Sequence, residues 1–95
     1  MPGYLIANLD VKDAALFSEY REKVEPVLAR YGARWLVRGG AIETLEGGLP
    51  LKRLVVLEFA SLDAARRFYH SADYAPLIKL RLASTNSDLV LVDGV

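Results

Sequence analysis

The 95-residue sequence has no cysteine, and only one histidine, one tryptophan and one methionine. Without cysteine there is no disulfide framework and no thiol nucleophile. A lone histidine without cysteine argues against a zinc site, because every other ligand would have to be a carboxylate. Net charge is missing too: 12 basic residues balance 12 acidic ones. A chain without cationic excess lacks the electrostatic footprint of a nucleic-acid binder, and has none to offer an acidic membrane surface. No apolar run approaches the roughly 18 residues of a membrane span. Met1-Pro2-Gly3-Tyr4 is not a charged region leading into a long apolar stretch, so no secretory signal is expected and the cytoplasm is the expected location. Linkers, internal repeats and low-complexity tracts are absent as well, which predicts a single domain over residues 1–95.

What is present is apolar. Hydrophobic residues make up 53% of the chain, high for a length at which surface dominates, and this implies an interface or a ligand groove. The order of the elements reads β-α-β-β-α-β. Tyr4–Leu9 alternates as a strand, and Asp10 or Asp13 can cap the helix that starts near Ala14. Phe17, Tyr20, Val24, Val27, Leu28 and Tyr31 then recur at helical spacing. Pro26 predicts a bend or break in that helix, and Gly32 ends it. A second strand begins near Arg34, is interrupted at Gly39-Gly40 by a bulge or a close backbone approach, and resumes as extended chain over Ala41–Leu45. Residues 46–50 form a loop, and a third strand runs from Arg53 to Phe59. Ser61 caps a helix from Leu62 to about His70. A short helix restarts at Ser71 or Asp73 with Pro76 in its first turn, and Asp88–Val92 forms the last strand.

The strand Arg53–Phe59 is apolar on both faces, yet two helical regions can cover only one face of a four-stranded sheet. With the first and third strands central, Leu5, Ala7, Leu9, Trp35, Val37, Val55, Leu57 and Phe59 form a set for the helices. The opposite set is Tyr4, Ile6, Asn8, Leu36, Arg38, Leu54, Val56 and Glu58. Exposing it to water is costly, so a homodimer formed through this sheet face is expected. Arg38 and Glu58 on that face either pair within the interface or line a cavity.

Arg34, Arg38-Gly39-Gly40, Leu45-Glu46-Gly47, Glu58-Phe59, Ala60-Ser61, Tyr69, Ser71, Tyr74 and Arg81 form an ordered set of short motifs covering nearly the whole chain. In these residues the chain resembles the domain of unknown function 1330 family. Ala33, Ala60, Phe68 and His70 depart from that pattern, where Gly, Pro, Trp and an Asp or Asn are commoner. The resemblance implies an α+β, ferredoxin-like fold with a four-stranded antiparallel sheet, in the dimeric α/β-barrel superfamily. That superfamily includes cofactor-free monooxygenases, haem-degrading enzymes and lactone isomerases. Fold alone assigns none of these reactions.

The candidate ligand-binding residues are Arg38, Glu46, Glu58, Tyr74, Arg81, Tyr20 and His70. Arginine can bind a carboxylate or polarise a carbonyl, and tyrosine can bury its ring while presenting a hydroxyl. His70 reads either as a general base or haem ligand, or as a solvent-facing residue at a helix C-terminus. Glu46 faces Arg38 or Arg81 across a cleft, or pairs with Arg53 at the surface. Arg81 pairs with Glu46, Glu58 or a ligand acid, while Lys52-Arg53 reads as solvated charge. Two functions follow. In one, the chain binds or transforms a small anionic or carbonyl-bearing metabolite without metal or cofactor. In the other, it is a non-catalytic dimeric domain whose buried charges serve packing and register.

Overall fold

The computed structural model describes residues 1–95. Its elements are β1 (Gly3–Val11), α1 (Ala14–Arg30), β2 (Arg34–Arg38), β3 (Leu54–Phe59), α2 (Leu62–Tyr69), α3 (Ala75–Ser84) and β4 (Thr85–Asp93). The strands form one antiparallel sheet in the order β2-β3-β1-β4, with β1 and β3 central. All three helices lie on one face. The core joins Leu5, Ala7, Leu9, Val55, Leu57 and Phe59 of the sheet to Phe17, Tyr20, Val24, Val27 and Leu28 of α1. Ala65, Phe68, Tyr74 and Leu77 complete it from α2, α3 and the turn between them. No helix is long and apolar enough to cross a membrane.

Local chemistry sets the helix ends. The Asp13 carboxylate accepts from the Leu16 backbone N–H, and the Ser61 hydroxyl accepts from that of Ala64. Pro26 does not break α1, which continues for four residues beyond it. Ser71 joins α2 to α3: its hydroxyl donates to the Phe68 carbonyl at 2.7 Å and accepts from the Tyr74 N–H at 3.1 Å. That pair of bonds sets the turn from which Tyr74 enters the core.

The second strand departs from expectation in two ways. It stops at Arg38, and residues 41–45 lie outside any strand. Its bulge falls at Leu36: Trp35 pairs with Leu57, but the next pair is Val37 with Val56. One extra residue reverses the alternation of every side chain after it. Val37 therefore belongs to the open face, whereas Arg38, opposite Val55, belongs to the helix-covered face. The shift carries no Gly or Pro signal, since Leu36 looks like its neighbours in sequence. Gly39 does not bulge the strand. It adopts φ +70° and donates its N–H to the Leu54 carbonyl at 2.9 Å, closing the end of the β2–β3 pairing.

The segment after Gly39 returns to the sheet through Asn8 on β1. The Asn8 side chain donates to the Pro50 carbonyl and accepts from the Lys52 N–H at 2.8 Å. Its amide on an otherwise apolar face is thus spent on holding the loop.

One close approach is between β1 and the start of α2. A Cβ on Gly3 would lie 2.5 Å from the backbone N and Cα of Leu62. Gly3→Ala is expected to destabilise the fold by about 1–3 kcal/mol, because backbone must yield. Gly48→Ala, where nothing lies within 4 Å, serves as the control and should change little. Urea denaturation of the two variants checks the difference, with the m-value unchanged.

Candidate functional site

Tyr74 and Arg81 are seven residues apart, at the start and in the last turn of α3, and so fall on one helical face. That face meets Tyr20 from the stripe of α1. The Arg81 Nη1 donates to the Tyr74 hydroxyl at 3.0 Å, and the Tyr74 and Tyr20 hydroxyls share a hydrogen bond of 2.7 Å. All three side chains are buried; Tyr74 is 1% and Arg81 5% exposed. No carboxylate pairs with Arg81, and its Nε has no hydrogen-bond partner. Burial works against the guanidinium charge, but the Tyr74, Tyr20 and Tyr69 oxygens together outweigh it and hold Arg81 above its ordinary range. Burial pushes the Tyr20 phenol well above its usual value, and the neighbouring Tyr74 adds to the shift. At neutral pH the Arg81 cation therefore sits near a neutral Tyr20 phenol.

These three residues line a partly enclosed cavity of about 50 Å³ between the sheet and α1. Its walls are the apolar core, including Leu9, Val24, Val55, Leu57 and Phe68, with Leu89 from β4. Its remaining polar residues are Arg21, Glu25, Arg38 and Arg53. Arg38 reaches this space because of the Leu36 bulge. Its guanidinium lies 4.2 Å from the Trp35 ring centroid and pairs with Glu25 of α1. The Arg38–Glu58 pair expected from strict alternation does not form. Glu58 is instead opposite Arg34 in the register and pairs with it at 2.9 Å on the open face. Arg34 is largely exposed there, so that pair contributes at most about 1 kcal/mol.

The seven candidates thus divide. Tyr20, Tyr74, Arg81 and Arg38 come together around one cavity. Glu58 is on the other side of the sheet. Glu46 is exposed on the loop, and pairs with none of Arg38, Arg81 and Arg53. His70 is the exposed C-cap of α2, edge-on to Tyr69 at 5.1 Å between ring centroids. Arg81 pairs with neither glutamate.

Two residues escaped the sequence reading. Glu25, next to Pro26 on α1, carries no motif. Its role follows only from the bulge that brings Arg38 opposite it. Arg53 looked like a solvated charge beside Lys52, but it is half-buried with its guanidinium 5.6 Å from the Phe17 ring centroid. The one available signal was Gly39: a Cβ there would lie 2.5 Å from the Arg53 guanidinium carbon.

The sequence matches the domain of unknown function DUF1330 over residues 2–95. The chain belongs to the DUF1330 family. No functionally curated protein matches it. Among solved structures, the DUF1330 chain is similar to the RPA0582 protein of unknown function from Rhodopseudomonas palustris. That match has 18% identity and a TM-score of 0.80, covering 99% of this chain and 82% of the other. It is also similar to SnoaB from Streptomyces nogalater, a cofactor-independent oxygenase, at 18% identity and TM-score 0.63, over 99% and 93% of the two chains. A dimeric ferredoxin-like protein of unknown function from Thermobifida fusca matches at 13% identity and TM-score 0.64, over 99% and 92%. At these identities the likeness shows the fold, which is α+β and ferredoxin-like.

The buried phenol makes stability depend on alkali. In the unfolded chain Tyr20 ionises near pH 10, roughly its reference value, whereas the folded state keeps the proton to higher pH. The stabilisation is fully present below that value and declines as pH rises, by about 1.4 kcal/mol per unit from this group. Denaturation midpoints measured between pH 9 and pH 11 should fall more steeply for the wild type than for Tyr20→Phe.

Proposed function

We propose that this DUF1330 protein binds a small anionic or carbonyl-bearing metabolite in the cavity between its sheet and α1. The observation that carries this reading is the buried Arg81, a cation with an unpartnered Nε and no carboxylate beside it, lining a cavity with apolar walls. A buried charge is costly unless compensated, and an anionic or strongly polar ligand oxygen is the compensation this site lacks. With Tyr20 donating to Tyr74, the Tyr74 hydroxyl accepts from both Tyr20 and Arg81 and keeps its own proton as a second donor for such an oxygen. In a water-poor pocket these two groups would orient a carbonyl and stabilise negative charge developing on it. Neither metal nor cofactor is required for that role. The cavity alone holds only a few water molecules, so a ring-sized ligand enters when the side chains at its mouth shift. SnoaB is an oxygenase that works without a cofactor, and a pocket of this kind on the same fold is compatible with such chemistry.

A second reading, a non-catalytic domain whose charges serve packing, is favoured by Arg38–Glu25 and Arg34–Glu58, both satisfied within the chain. Thermal shifts against a panel of small carboxylic acids and aromatic carbonyls separate the two. On the ligand reading, at least one compound at ten times its Kd raises Tm by roughly 5–10 °C. That shift is lost in Arg81→Gln and reduced in Tyr74→Phe, with the folded spectrum retained. A panel without any specific shift leaves the packing reading.

We also propose that the protein is a homodimer through the open sheet face. Val37, Val90 and Val92 are exposed there beside Ile6, Leu54 and Val56, and no helix covers them. The ferredoxin-like proteins from Thermobifida fusca and Bacteroides fragilis are described as dimeric. Light scattering at micromolar concentration should give twice the 10.5 kDa chain mass. Val56→Glu, which sets a charge in the middle of that face, should give the monomer.

A further inference from the structure

The chain as a whole is electrically neutral, but its cavity is not. Four arginines line it against a single acidic residue, Glu25, and Glu25 is taken by Arg38. Arg81, Arg53 and Arg21 are left with no carboxylate partner. Arg21 is exposed on α1, with its guanidinium also 5.6 Å from the Phe17 ring centroid. Arg53 differs in being half-buried and seated against Gly39. The guanidinium rests beside Phe17 and in the space left by the missing Cβ of Gly39, whose φ of +70° suits glycine. Its backbone is held as well, since the Arg53 carbonyl accepts from the Leu9 N–H at 2.9 Å. Phe17, Tyr20 and Tyr74 form a continuous line of contacts from Arg53 to Arg81: the Phe17 and Tyr20 rings stack at 6.1 Å, and the Tyr20 and Tyr74 hydroxyls bond. Two arginines without carboxylate partners thus stand at the two ends of an aromatic wall, one buried and one half-buried.

Resting on the ligand reading above, we propose that the metabolite is a dianion: a flat apolar body with one acidic group held by Arg81 and Tyr74, and a second acidic group received by Arg53. A ligand with one polar end would leave Arg53 ordered against the pocket with nothing to bind. A dicarboxylate, or a carboxylate with an acidic enol, meets both ends and lays its apolar body on Phe17 and Tyr20. Gly39 is then a positioning residue, acting through Arg53.

Calorimetric titration with benzoate, terephthalate and benzamide at low salt tests this. Terephthalate should bind at least about tenfold more tightly than benzoate, and benzamide more weakly than either. Arg53→Gln should abolish the preference for terephthalate while leaving benzoate binding unchanged, and Arg53→Lys should retain part of it. Gly39→Ala should reduce the preference in the same direction. Arg81→Gln should weaken both acids, and Arg66→Gln, on α2, should weaken neither. Equal affinity for the two acids, or a preference that survives Arg53→Gln, overturns the dianion while Arg81-dependent benzoate binding keeps the pocket. If neither acid binds the wild type, the dianion fails, and the broader panel decides the pocket itself.

Discussion

A guanidinium buried without a carboxylate is the constraint around which the helical layer is arranged. Arg81 needs acceptors for its donors, and the nearest come from outside its own turn of helix: Tyr74 at the other end of α3, and beyond it Tyr20 on α1. Each depends on local chemistry. Tyr74 is delivered by the Ser71 turn, and Tyr20 by the apolar spacing of α1. The end of α3 is held by the Ser84 and Thr85 hydroxyls on the Arg81 carbonyl, at 3.2 and 2.8 Å. Helix 1 begins from the same place, because the Lys12 and Asp13 N–H groups donate to the Ser84 carbonyl. The polar cluster therefore ties α1, α3 and the start of β4 into one unit, and leaves the Arg81 Nε without a hydrogen-bond partner.

The sheet contributes the other half of the site through a single irregularity. If β2 alternated regularly, Arg38 would lie with Glu58 on the open face, and the cavity would lose a wall. One extra residue at Leu36 sends Arg38 to Glu25 on α1, and leaves Arg34 for Glu58. Both ion pairs are partly exposed, so their worth lies in geometry more than in energy. Arg38, over the Trp35 ring, lines the cavity, and Gly39 directly after it makes room for Arg53, which lines it too. The Arg38-Gly39-Gly40 motif is thus a piece of pocket architecture, with the arginine as wall and the first glycine as a seat.

Much of this was readable in the residues. The α1 stripe, the Asp13 and Ser61 caps, the central place of β1 and β3 and the surplus apolar face all follow from period, capping chemistry and the handedness of crossovers. Those signals are local, or repeat along the chain. Tyr20, Tyr74 and Arg81 were each notable, but their meeting depends on how two helices pack, which no spacing encodes. Glu46 and Glu58 drew attention as charges amid apolar residues; one is a loop residue, the other an open-face partner of Arg34.

The local pattern of residues set the element order, the single helix-covered core and the excess of apolar surface over what two helical regions can bury. It did so because side-chain period and capping act over a few residues. Tertiary structure alone decided which charges face the cavity. A strand's faces follow from its register, and register here turns on a one-residue bulge with no glycine or proline to announce it. The pairings Arg38–Glu25, Arg53 against Gly39 and Tyr20 with Tyr74 each join residues distant in the chain, and only packing brings them together.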